Sequence, residues 1–130
     1  MAALSRLPGL MAEARRVVIV KPSSLGDIVH TLPAVYALRR QWPHLHLSWV
    51  VNTEFAPLLE GHPDLNAIVE FPRSSFRGWR GIGRFRSWLE EYRIAARADV
   101  ALDFQGLLRS GLISRASGAC TIVGLDDSRE

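Results

Sequence analysis

Residues 17–35 read VVIVKPSSLGDIVHTLPAV, an unbroken apolar run that passes abruptly into small and polar residues around Gly26 and Asp27. The β-branched run from Arg16 to Lys21 is the pattern of a short strand buried on both faces. The period then changes: Ile28, Val29, Leu32, Val35 and Tyr36 fall on one side of a helix that ends before Trp42-Pro43. Proline inside a helix costs about 3 kcal/mol, so Pro33 predicts either a main helix beginning at Thr31 or a separate first turn.

The same alternation continues outward. Leu45–Val51, Ala67–Phe71, Asp99–Phe104 and Thr121–Gly124 read as further strands, with a short helical stretch over Glu54–Glu60 and helices over Ile82–Arg97 and Gly106–Ser117. Strands alternating with helices imply a parallel sheet joined by right-handed crossovers, an α/β, Rossmann-like fold flanked by helices. Residues 1–15 read as a poorly ordered or weakly helical extension, and residues 16–130 as one domain. Such a sheet needs helices on both faces, yet Asp126-Asp127-Ser128-Arg129-Glu130 follow a strand with no closing helix, so the chain reads as cut from something longer or as relying on a partner for cover.

In an open parallel sheet, ligands bind outside the carboxyl ends of the strands, which makes Lys21–Asp27 the first candidate loop. Glycine at 26 lets a ligand approach the backbone, and the amides of the following helix favour negative charge. Asp27 gains from the same helix start and stays ionised, ready to accept a proton; the plainer role for it is a helix cap. With a single glycine, PSSLGD fits neither a dinucleotide fingerprint nor a P-loop. A phospho-accepting receiver is disfavoured too, since Lys21 and Pro22 stand where it would place an acidic pair.

At 130 residues and 48% hydrophobic, the chain is sized for one core. It contains no membrane-spanning run and no signal peptide, so a cytoplasmic protein is expected. Cys120, the single cysteine, reads as a buried apolar thiol. The net charge of +3 is unevenly made, for 15 of the 16 basic residues are arginine and seven of those lie between Arg73 and Arg97 against Glu90 and Glu91. Arginine forks match phosphate and carboxylate oxygens, so this segment points to an anionic partner or, more plainly, to a solvated helical face. His44, His46 and His62 lack metal-ligand spacing, and no metal or cofactor is expected.

Val20-Lys21-Pro22-Ser23-Ser24-Leu25-Gly26-Asp27-Ile28-Val29-His30-Thr31-Leu32-Pro33-Ala34 resembles the opening motif of glycosyltransferase family 9, the lipopolysaccharide heptosyltransferases. Trp49-Val50-Val51 with Phe55, Arg77-Gly78-Trp79-Arg80, Asp103-Phe104-Gln105-Gly106-Leu107-Leu108-Arg109-Ser110 and the terminal Ser128-Arg129-Glu130 are similar to further family motifs, in order over residues 16–130. The resemblance implies the amino-terminal, acceptor-binding half of a two-domain GT-B enzyme. The missing carboxyl-terminal half would bind the co-substrate ADP-heptose, and the acceptor would be a lipid-linked Kdo sugar. It further implies an inverting displacement at the cytoplasmic face of the inner membrane, with peripheral membrane contact and no nucleic acid.

By the same resemblance Asp27 is the base, and Arg77, Arg80 and Arg115 match acceptor-binding arginines. From their places at the strand ends Ser23, Ser24, Gly26 and Gln105 are further acceptor-binding candidates, the two serines reading more plainly as satisfied within their own turn. The chain departs from the family at Arg77-Gly78-Trp79, where consecutive arginines often precede the tryptophan, so the acceptor's identity stays open. Asp103 reads either as a cleft residue or as a partner of nearby loop amides. Trp79, Phe85 and Trp88 are candidates for a sugar or lipid platform, with helical spacing making Phe85 and Trp88 core residues first. His30 reads as a surface histidine. Alternatives are a family relative with another donor or acceptor, and a non-catalytic module that holds a membrane phosphate group or RNA.

Overall fold

The fold was taken from a computed structural model that describes residues 2–106 and 108–124. Five parallel strands, β1 (Arg16–Val20), β2 (His46–Asn52), β3 (Ala67–Phe71), β4 (Val100–Asp103) and β5 (Thr121–Gly124), lie in the order β3-β2-β1-β4-β5. The helices are α1 (Ala2–Glu13), α2 (Leu25–Gln41), α3 (Arg80–Ala96) and α4 (Leu108–Ala116), with 3₁₀ turns at Thr53–Leu58 and Arg73–Phe76. From β1 the chain first moves outward to β2 and β3, then returns to place β4 on the other side of β1. The crevice of such a sheet opens between the two strands where the direction reverses, here β1 and β4.

The strand alternation builds two cores. Val17 and Ile19 of β1 pack with Met11, Ile28, Val35, Leu38 and Trp49 on one face. Val18 and Val20 pack with Val50, Phe71, Tyr92 and Ile113 on the other. Being covered on both sides explains why β1 is apolar at every position after Arg16.

Ahead of β1, Met11 of α1 is fully buried in the first core, and Ala14, just after the helix, is buried there too. Several expectations are corrected. Helix α2 runs unbroken through Pro33, whose side chain faces solvent, so the carbonyl that loses its partner can be hydrated. Its buried stripe is Ile28, Thr31, Val35 and Leu38, while Val29 and Tyr36 are exposed. Cys120 is exposed, since it lies in the turn that leads into the edge strand β5, outside both cores. The terminal Ser128-Arg129-Glu130 motif lies outside the described residues.

Candidate functional site

Buried polar anchors hold the loop after β1. The Trp49 indole, fully buried, donates to the Lys21 carbonyl at 2.9 Å, and the Asn52 amide donates to the Pro22 carbonyl at 3.0 Å. Both bonds tie the loop to β2, so residues 23–27 leave a fixed point. Ser24 caps α2, and Asp27, at the third helical position, completes a capping box with it. The Ser24 hydroxyl donates to Asp27 Oδ2 at 3.0 Å, the Ser24 amide reaches the same oxygen at 3.4 Å, and Lys21 Nζ stands 4.0 Å from it.

Asp27 is therefore a helix cap, and its chemistry does not end there. The Ser24 hydroxyl and amide, followed by the Lys21 ammonium, hold its carboxyl below the ordinary aspartate value, so it is ionised at neutral pH. Its side chain is 58% exposed, and among the described residues every bond it makes falls on Oδ2. Oδ1 remains available to take a proton. Gly26 needs no unusual backbone angle, and a Cβ there would meet nothing within 4 Å. The fold itself makes no demand for glycine at 26, so what its bare backbone provides is access from outside.

Across the switch point, Asp103 ends β4 and organises the second loop. Its Oδ1 accepts the Gln105 and Gly106 amides at 3.0 Å each, and Ser110 donates its hydroxyl to Oδ2 at 3.2 Å. Of its two sequence readings, the partner of loop amides is the one realised. Lys21 bridges the loops, with Nζ donating to the Phe104 carbonyl at 3.4 Å although the side chain is buried.

Between these loops and the segment after β3 lies a cavity of about 920 Å³. Ser23, Asn52, Arg73, Arg77, Gln105 and Ser110 give it polar walls, and Phe71, Phe76 and Phe85 an apolar one. A Cβ on Gly81, which also lines it, would fall on the Phe76 backbone, so the close approach of α3 to the Arg73–Phe76 turn requires glycine. Phe85 and Trp88 are half-buried against Phe71 and Phe76, and the Trp88 indole donates to the Glu70 carbonyl at 2.8 Å, a packing role. Trp79 is 78% exposed under the Arg80 guanidinium, whose carbon lies 5.5 Å from its ring centre.

The expected site residues fall in four places. Ser23, Arg77 and Gln105 share the cavity, while Ser24, Gly26 and Asp27 stand beside it on the same loop. His30 is exposed one helical turn beyond Asp27. Arg80 opens instead onto a separate shallow depression with Ser75, Arg84 and Trp88. Arg115 is far from all of them: it occupies the last turn of α4, whose end is pinned to the amino end of β4 where the Ala98 amide donates to the Ser117 carbonyl at 3.1 Å. It sits at the opposite end of the sheet from the cavity, so the structure does not bring it to the acceptor residues.

Sequence reasoning passed over Lys21, Asn52 and Arg73. Each left a signal: Lys21 is the sole lysine of an arginine-rich chain, Asn52 ends an apolar strand, and Arg73 opens the arginine segment.

No family model matches the chain. It is similar to lipopolysaccharide heptosyltransferase 1 of Pseudomonas aeruginosa, 35% identical over 121 residues that cover 85% of this chain and 32% of the relative. Among solved structures, the heptosyltransferase WaaC of Escherichia coli with ADP-2-deoxy-2-fluoro heptose superposes with a TM-score of 0.67 at 28% identity, covering 84% of this chain and 34% of that one. A glycosyl transferase family 9 structure from Veillonella parvula gives 0.73 at 18% identity, covering 88% and 34%, a likeness of fold. The chain thus spans about a third of the length of the curated relatives it matches. By these similarities the chain is homologous to part of the lipopolysaccharide heptosyltransferases and shares the parallel-sheet fold of the glycosyltransferase family 9 structures.

Proposed function

We propose that the chain is the amino-terminal, acceptor-binding part of an inverting glycosyltransferase that moves heptose from ADP-heptose to the Kdo inner core of lipopolysaccharide. The observation that carries this reading is Asp27: an ionised, half-exposed carboxylate with one free oxygen, beside a cavity walled by arginines, at the carboxyl end of the sheet. The donor is read from the relative solved with an ADP-heptose analogue, and would bind a second domain.

A sugar hydroxyl is a poor nucleophile until its proton is accepted in the transition state. Asp27 Oδ1 takes that proton as the hydroxyl oxygen bonds to the anomeric carbon and the carbon–oxygen bond to ADP breaks. Attack from the opposite side inverts the centre. Lys21 and Ser24 hold the other carboxylate oxygen, which orients Oδ1 and keeps it unprotonated between turnovers. Arg73 and Arg77 place guanidinium forks in the cavity, where the acceptor's carboxylate would bind.

Peripheral membrane contact at the cytoplasmic face is part of the same proposal. Trp79 and Ile82, 78% and 70% exposed, stand among Arg77, Arg80, Arg84 and Arg86, a pairing of apolar and cationic groups suited to an anionic lipid surface. Among the described residues no helix is long and apolar enough to cross a membrane.

The test is made in the full-length enzyme that carries this chain. Asp27→Ala is expected to lower turnover by about 10³-fold, within the range for a lost general base, with donor binding retained. Turnover close to that of the unaltered enzyme would remove Asp27 from the role.

A further inference from the structure

Two of the residues that line the cavity, Asn52 and Gln105, carry side-chain oxygens that the fold buries and leaves without a hydrogen-bond partner among the described residues, Asn52 Oδ1 and Gln105 Oε1. Asn52 is only 3% exposed. Its backbone is fixed on two sides, by the bond to Pro22 and by pairing with Phe71 of β3, so its carboxamide is held in place by the sheet. Gln105 stands on the loop after β4, on the other flank of β1. Buried polar atoms are nearly always paired, and exceptions that line a cavity mark where a ligand supplies the missing donor.

The chemistry of that ligand follows from what the walls lack. Arg73 and Arg77 are donors only and take an anion. A bare carboxylate or sulfate satisfies them but has no proton to offer a carboxamide oxygen; a hydroxyl has one. We infer that Asn52, together with Gln105, reads hydroxyl groups of the acceptor and makes the cavity selective for a polyhydroxylated acid over a simple anion. The arginines supply charge attraction, and Asn52 is the specificity-determining residue. This inference rests on the acceptor-site reading above and adds to it a residue and a chemical criterion.

Calorimetric titration of the full-length enzyme with Kdo, with its 4-, 5-, 7- and 8-deoxy analogues and with inorganic sulfate tests it. At least one deoxy analogue should bind the unaltered protein about tenfold more weakly than Kdo, the worth of one well-made hydrogen bond in a buried site. Asn52→Leu should weaken Kdo by a similar factor, leave sulfate unchanged, and bind Kdo and that analogue alike. Asn52→Asp, which keeps an acceptor oxygen, should retain the preference for Kdo over the analogue.

The inference is overturned if every analogue binds the unaltered protein as Kdo does, or if Asn52→Leu weakens Kdo and sulfate equally. The analogue series needs no substitution, so it decides the matter even where Asn52→Leu does not fold. Kdo that binds without regard to its hydroxyls sinks this inference and spares the acceptor reading. Absence of any Kdo binding sinks both.

Discussion

Asp99 and Asp27 stand at opposite ends of one sheet, and both carboxylates are held below the ordinary aspartate value by hydrogen bonds. Asp99, at the amino end, accepts the Arg15 and Arg16 amides on one oxygen at 2.8 and 2.9 Å. Around it Arg16 caps the end of α3 through the Ala96 and Ala95 carbonyls, and Arg39 ties α2 to the Asp64 carbonyl and to Asn66. His46 Nδ1 is an exception there, buried without a partner among the described residues; burial and then Arg16 lower the ring's pKa, so it is neutral. At the carboxyl end Asp27 takes its bonds from the Ser24 hydroxyl and amide, with a lysine at 4.0 Å, all on one oxygen. A lowered pKa does not separate structure from function. The surroundings do: beside Asp99 arginine side chains donate to backbone carbonyls, whereas the carboxamide oxygens of Asn52 and Gln105 near Asp27 have no partner among the described residues.

The sharpest way to break this contrast is to remove an arginine from each end. In the full-length enzyme Arg77→Ala should raise the acceptor KM by about 30-fold, as expected for a lost charge-assisted pair, while Arg115→Ala leaves KM unchanged. Equal effects would mean that the acceptor reaches both ends. Next, Gly81→Ala forces a Cβ into the Phe76 backbone and should cost about 2 kcal/mol in a denaturation series, with the cavity wall displaced. A neutral result would show that α3 and the Arg73–Phe76 turn are free to separate.

Asp99→Asn should destabilise by about 1 kcal/mol at pH 7, a figure kept low because the carboxyl is exposed. The folded pKa of Asp99 lies below 3.8, so its contribution is complete above that value and is lost as pH falls through the folded value. The gap between variant and parent should therefore close in acid; a gap that persists below the folded pKa would reassign it to packing. Smallest of all, Arg97 ends α3 in the left-handed region at φ 41°, exposed, so Arg97→Gly should stabilise by about 0.5 kcal/mol. A lower melting temperature would indicate that the arginine side chain holds the amino end in a way its backbone angle conceals.

The inner strands were legible because burial on both faces leaves an apolar run with little ambiguity, and the edge strand Thr121–Gly124, though largely exposed, is realised to the residue. The capping place of Asp27 was legible because an acid at the start of a helix that follows a strand is a natural cap. Arg115 was misplaced for a geometric reason: a helix following a parallel strand runs back down the sheet, and seven residues past Leu108 is about 10 Å of descent. Pro33 misled because the rule against interior proline assumes a buried carbonyl. Asn52 was invisible in outline, since one asparagine at a strand end looks like any turn residue until its oxygen is found buried and unpaired.

The pairing of Val20 with Asp103 has a kinetic corollary. It brings together loops from the two ends of the chain, and long-range parallel pairing of this kind is slow to form because the intervening chain must first be closed into a loop. The Asp27 loop and the Gln105 loop acquire their relation only when β4 docks, so a nascent chain that has made β1, α2 and β2 already carries Asp27 without the cavity beside it. The cavity is then a late product of maturation, and a fluorescent probe that enters it would report the docking of β4.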